Sequence, residues 1–112
     1  MSEEVIIARE TENVSGTVQI SGAKNSALKL IAATMLGQGK STLHNIPHIS
    51  DIEIMNEVIR SLGATVEWDG HSLIIDTEHA EGHDTPYELV SKMRASISVL
   101  GPLVGRFGCA RV

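Results

Sequence analysis

The stretch that most restricts the fold is "ISDIEIMNEVIRSLGATVEWDGHSLIID", from Ile49 to Asp76. Ile52, Met55, Val58, Ile59 and Leu62 follow the i, i+3, i+4, i+7 rule, which predicts an amphipathic surface helix. Ser50 or Asp51 can cap it, and Gly63 ends it. Directly afterwards, Ala64 to Trp68 and Ser72 to Asp76 read as two strands around Asp69-Gly70. Asp-Gly tolerates the positive φ values of a type I′ turn, so a tight hairpin is expected.

The remaining chain extends this alternation. Val5 to Ala8 reads as a short buried strand, Glu10 to Asn13 as a polar turn, and Gly16 to Ser21 as a second strand. From Asn25 to Leu36 the chain is apolar around most of a helix, which predicts a central, buried element stopped by Gly37-Gln38-Gly39. Lys40 to Ile46 suits a strand closed by Pro47. Thr77 to Pro86 is a polar connector, and Tyr87 to Val104 reads as a helix broken near Gly101-Pro102. Phe107 to Val112 reads as the start of another strand, with no turn signal or polar tail to finish it. The class is therefore α/β (α+β): one complete βαβαββ unit and the start of a second, as in a repeat architecture cut short. The chain is expected to be a piece of something longer.

At 112 residues, with 42% hydrophobic and 21% charged, the sequence is that of an ordinary folded domain. Its formal net charge of −5, with no block of like charges, argues against nucleic acid or an anionic membrane as a partner of the whole chain. Any anion must be held by a local cluster. The acidic start MSEEVIIARE is not a secretory signal, and no apolar run is long enough to span a bilayer, so a cytoplasmic location is expected. A single cysteine, Cys109, excludes an internal disulfide and a multi-cysteine zinc site.

Lys24 stands out chemically. It falls where strand gives way to helix, near the positive end of the helix dipole, where a cation is disfavoured by up to about 1 kcal/mol. With Gly22 allowing close backbone approach and helix N–H groups pointing outward, the Ser21-Gly22-Ala23-Lys24-Asn25 turn could hold a phosphate or carboxylate. Asn25 adds both a donor and an acceptor. The alternative is a solvated lysine, with Asn25 capping the helix. Arg94, flanked by Ala95 and Ser96, leaves room for a ligand beside a guanidinium suited to phosphates or carboxylates, although its spacing equally fits an exposed helix arginine. Met93, Ile97 and Leu100 share one face of that helix, and Arg94 and Ser98 another. Cys109 reads as an inert core residue of a strand, Asp51 as a helix cap, and Trp68 as packing. His44, His48, His71, His79 and His83 have only loose spacings, and the His79/His83 pair lies in a polar connector, so no metal site is expected.

Taken together, "GTVQISGAKNSALKL", "IPHISDIEIMNEVIRSLGATVEWDG" and "PYELVSKMRASISVLGPLVGRFG" closely resemble the UDP-N-acetylglucosamine 1-carboxyvinyltransferase family, the enolpyruvyl transferases that open bacterial peptidoglycan synthesis. The resemblance covers nearly the whole chain. The sister family of the shikimate pathway has a Gly-Ser-Lys-Ser-like turn, and Gly22-Ala23-Lys24-Asn25 favours the cell-wall family. The implied fold is an inverse α/β barrel: two similar domains, each of three βαβαββ units about a threefold pseudo-axis. Residues 1–21 would be crossover strands belonging to the other domain, without their native sheet partners here. Residues 22–112 would be a partial repeat domain, with Lys24 at the interdomain cleft.

The implied reaction transfers the enolpyruvyl group of phosphoenolpyruvate to the 3′-hydroxyl of UDP-N-acetylglucosamine and releases phosphate, without a metal or cofactor. By resemblance, Lys24 and Asn25 belong to the phosphoenolpyruvate site and Arg94 to the UDP-sugar site. The family's reactive Cys or Asp lies in a Pro-Gly-Gly-Cys-like loop that would follow Val112. Cys109, preceded by Phe107-Gly108, does not match it. The expected partners are thus two small-molecule substrates, and the segment alone is expected to be inactive. A non-catalytic anion-binding module of the same fold and the shikimate-pathway sibling are the alternatives.

Overall fold

A computed structural model describes residues 3–82, 85, 88, 91 and 94–112, with residues 94–96 described by backbone alone. The elements are α1 (Lys24–Ala33), a 3₁₀ turn (Thr34–Leu36), β1 (Lys40–Leu43), α2 (Ser50–Ser61), β2 (Thr65–Asp69), β3 (Ser72–Asp76), a 3₁₀ helix (Arg94–Val99) and α3 (Leu100–Phe107). The three strands form one antiparallel sheet in the order β1-β3-β2. β1 and β2, joined through α2, are the outer strands, and the hairpin return β3 fills the place between them.

Helices and sheet meet in one core. α1 contributes Ala27, Leu28, Ile31 and Ala32, α2 contributes Ile52, Met55, Val58 and Ile59, and the sheet contributes Val66, Leu73 and Ile75. The alternation of Leu73 and Ile75 with half-buried neighbours is the period of two that turns one strand face inward. Val99 and Leu103 close the core from the 3₁₀ helix and α3. At the end of β3, buried Thr77 donates from its hydroxyl to Gly37 O (2.7 Å) and from its amide to Gly39 O (2.9 Å), so the glycine stop after α1 is tied to the sheet.

Several local expectations are corrected. Residues 3–21 include no strand, although strands were expected at 5–8 and 16–21. Among the described residues no neighbouring strand completes their ladder, and Val5, Ile6, Ile7, Val14, Val18 and Ile20 are all exposed. α1 buries one face only, leaving Leu30 and Leu36 beyond it about half exposed. β1 ends at Leu43 instead of Ile46, because Asn45 takes a left-handed φ of 57° and turns the chain out of the ladder. The hairpin loop is Gly70-His71, one residue later than expected: Asp69 already pairs with Ser72. Gly70 has φ +63° while His71 is not left-handed, the pattern of a type II′ turn rather than type I′.

The C-terminal part differs more. The first half of the expected Tyr87–Val104 helix, Met93 included, falls largely outside the described residues. Downstream the chain does split, between the 3₁₀ helix and α3, and Pro102 sits in the first turn of α3, where no intrahelical N–H bond is needed. Phe107 ends α3 instead of opening a strand, and Gly108 caps it at φ +80° with its N–H on Val104 O (2.9 Å). Arg111 makes an isolated bridge, its carbonyl accepting from the Thr85 amide at 2.9 Å. The polar connector is partly internal, since Ala80 is buried and the Gly82 amide donates to Leu62 O (3.0 Å).

Candidate functional site at the Lys24 turn

α1 opens at Lys24, with Ala23 as an extended N-cap residue that makes no side-chain cap bond. Asn25 therefore does not cap the helix, and among the described residues no side chain accepts from the N–H groups of its first turn. Both Lys24 and Asn25 are exposed. Lys24 Nζ lies 3.1 Å from Asp51 Oδ2 in the first turn of α2. That placement corrects the expectation for Asp51. The N-cap of α2 is Ile49, again without a side-chain cap bond, and Asp51 is a first-turn acid that suits its own helix dipole while neutralising a lysine that does not suit α1. The pair is half exposed, with side-chain exposures of 49% and 33%, so its net contribution to stability is about 0–1 kcal/mol.

Gly22 is required by the chain itself. A Cβ built there would lie 1.8 Å from the backbone oxygen of Asn45 and 3.3 Å from Pro47 Cδ. The close approach allowed by this glycine is thus to the loop after β1. A cleft of about 380 Å³ lies beside this contact, lined by Ile20, Ser21, Asn45, Ile46, Pro47 and His48 among others. A larger cleft of about 720 Å³, between Leu36, Gln38, Glu78, His79, Arg106 and Phe107, contains none of Lys24, Asn25 and Arg94. Lys24 and Asn25 line neither cleft, and the smaller one comes nearest to them in the chain at Ser21.

Arg94 begins the 3₁₀ helix, an element that packs against α1 and α2. Cys109 is exposed, one residue beyond the Gly108 cap, which overturns its reading as a core residue. Trp68 does pack against the core, yet it also stacks on His48, with ring centroids 3.6 Å apart, and donates from Nε1 to Glu53 Oε1 at 2.7 Å. His48 Nε2 donates to Gly70 O at 2.7 Å, and His44 Nδ1 lies 2.9 Å from Ser72 Oγ. Among the described residues no group of three or more His, Cys, Asp or Glu could hold a metal ion. Two roles were missed from the sequence. Opposite charges in the first turns of two helices were the available signal for Lys24 and Asp51. Nothing local marked Arg106, whose guanidinium donates to Thr77 O (2.7 Å) and Met35 O (3.4 Å) and lies 5.0 Å from the Phe107 ring centroid.

Residues 8–112 match the EPSP synthase (3-phosphoshikimate 1-carboxyvinyltransferase) family, nearly the whole chain. The chain belongs to that family. Within it, a UDP-N-acetylglucosamine 1-carboxyvinyltransferase of Chloroherpeton thalassium is 46% identical over 110 residues, 97% of this chain and 26% of the relative. Proteins of the same name from Cellvibrio japonicus and Mycobacterium tuberculosis are 50% and 52% identical, each over 88% of this chain and 24% of its own length. The chain thus spans about a quarter of the length of the curated relatives it matches. Among solved structures, the enolpyruvyl transferase NikO from Streptomyces tendae superposes with a TM-score of 0.76 at 30% identity, covering 86% of this chain and 22% of that one. The mixed α/β class and the enolpyruvyl transferase fold expected from the sequence are both found.

Proposed function

We propose that this chain is part of an enzyme that moves the enolpyruvyl group of phosphoenolpyruvate to the 3′-hydroxyl of UDP-N-acetylglucosamine, releasing phosphate, in the first committed step of bacterial peptidoglycan synthesis. The observation that carries the reading is 44–52% identity, over most of the chain, to relatives all named for UDP-N-acetylglucosamine carboxyvinyl transfer. The geometry of the Lys24 turn supports an anion-binding role there. Lys24 and Asn25 would contact phosphoenolpyruvate: an exposed ammonium and a carboxamide stand beside first-turn N–H groups that no side chain among the described residues caps. The weak, exposed pair with Asp51 would hold Lys24 ready, and an arriving anion would share or replace that carboxylate. In the transition state the lysine would favour the charge that gathers on the leaving phosphate. Arg94 would bind the UDP-sugar through its guanidinium.

Residues 1–21 would run into the other domain of the whole protein, which fits the described part of that segment, residues 3–21, where no ladder forms and six large apolar side chains are exposed. Both proposed substrates are water-soluble anions, so the enzyme would work in the bacterial cytoplasm, supplying cell-wall synthesis and hence cell shape and division. Closure of two domains over the reacting enol ether would exclude water.

The test uses the full-length protein that contains this chain, phosphoenolpyruvate, and either UDP-N-acetylglucosamine or 3-phosphoshikimate, with phosphate release as the readout. Turnover with the UDP-sugar alone is the expected result. Turnover with 3-phosphoshikimate alone would transfer the protein to the sibling activity whose name the matched family carries. Release with neither would leave a non-catalytic anion-binding module.

A further inference from the structure

We infer that Asn45 is a positioning residue for the Lys24 turn, acting through its left-handed backbone and not through its side chain. Among the described residues it is the single non-glycine residue with positive φ, at 57°. Its side chain is exposed and makes no hydrogen bond among them, so no contact of the carboxamide explains the residue. Asparagine is one of the few side chains that tolerates this region, because its short polar group adds little crowding. The conformation has a specific consequence: it turns the Asn45 carbonyl onto Gly22, so closely that any Cβ there would overlap it. Gly22 lies two residues before Lys24.

The loop bearing that carbonyl is itself held. Ile46 is buried, and its amide donates to His71 O at 2.8 Å. His48 donates to Gly70 O at 2.7 Å, and its ring stacks on Trp68. The hairpin turn therefore anchors the loop after β1, and that loop is the surface on which the Lys24 turn rests. Asp51 orients the end of the lysine from the far side, while Asn45 sets where its backbone begins. A residue that disfavours left-handed φ would withdraw the carbonyl and shift the start of α1.

This inference rests on the proposal that Lys24 contacts phosphoenolpyruvate, and its test separates the two. In the full-length protein, steady-state kinetics would be measured for Asn45→Gly, Asn45→Asp, Asn45→Ala, Asn45→Val and Lys24→Ala, with a thermal melt of each. Valine and alanine should lower kcat/KM for phosphoenolpyruvate at least fivefold, with a smaller change in KM for the UDP-sugar. Glycine and aspartate, which accept left-handed φ, should restore it to within about twofold of the parent. If valine prevents folding, alanine carries the comparison. Equal loss in glycine and valine would mean the side chain matters, and would overturn the inference. So would a lowered melting temperature with unchanged kinetics for both substrates, or no effect of valine while Lys24→Ala is strongly impaired. If Lys24→Ala itself leaves phosphoenolpyruvate kinetics unchanged, the site reading fails and the positioning role falls with it.

Discussion

A lysine at a helix N-terminus is locally unfavourable, and here the cost is offset within the chain by Asp51, 3.1 Å away. The pair's exposure sets what its removal should do. Lys24→Ala in the full-length protein is expected to reduce phosphoenolpyruvate turnover at least tenfold while changing unfolding free energy by no more than about 1 kcal/mol, read by urea denaturation beside the kinetic assay. A large loss of stability would assign the lysine a structural role instead. The need for a glycine at position 22 is likewise a residue-scale fact, but it is explained only by the carbonyl of Asn45, which a left-handed backbone places against it.

Secondary structure elements show a different balance. α2 presents the apolar stripe its spacing implies, with Ile52, Met55, Val58 and Ile59 all buried, yet Asn56 is buried beside them with neither its carboxamide oxygen nor its nitrogen hydrogen-bonded among the described residues. An unpaired buried polar group costs about 1–3 kcal/mol. Asn56→Leu, close in volume, should therefore stabilise the fold by about 1 kcal/mol or more, seen as a higher urea midpoint at unchanged slope. A destabilised variant would mean that the carboxamide is paired in solution. In α1, Ile31 has no exposed surface. Ile31→Asp would place an unpartnered charge between α1 and its neighbours, and is expected to abolish the cooperative melt; a soluble variant that still melts cooperatively would contradict the position assigned to this side chain.

At the scale of the whole molecule, the helices and the three-stranded sheet share one core, whereas the segment before α1 adds almost nothing to it. Val5, Ile6 and Ile7 are 78%, 98% and 75% exposed, a run of apolar side chains with no strand beside it. Contiguous apolar exposure of this kind promotes association. Removing residues 1–15 from the 112-residue chain should leave its melting temperature within about 3 °C, because a fold's stability follows the surface it buries, and should lower its binding of a hydrophobic dye. A large drop in melting temperature would show that this segment packs on the core.

Much of this was legible because it is local. Periodicity placed α2 to within a residue or two at either end, the apolar run before Gly37 located α1, and Asp-Gly announced the hairpin, since each depends on side chains only a few residues apart. Motif resemblance identified the enolpyruvyl transferase family for the same reason, that short contiguous stretches carry it. What only the tertiary structure decided were relations between distant segments. Residues 3–21 have strand-like sequence but form no strand, because a ladder requires a neighbour. Asp51 looked like a cap until α1 brought a lysine to it, and Cys109 looked like core until α3 ran through Phe107 and left it exposed. From the sequence Gly22 allows a close backbone approach to an anion, and in the structure the close approach is made by the carbonyl of Asn45, because the chain between them folds back to bring the two backbones into contact.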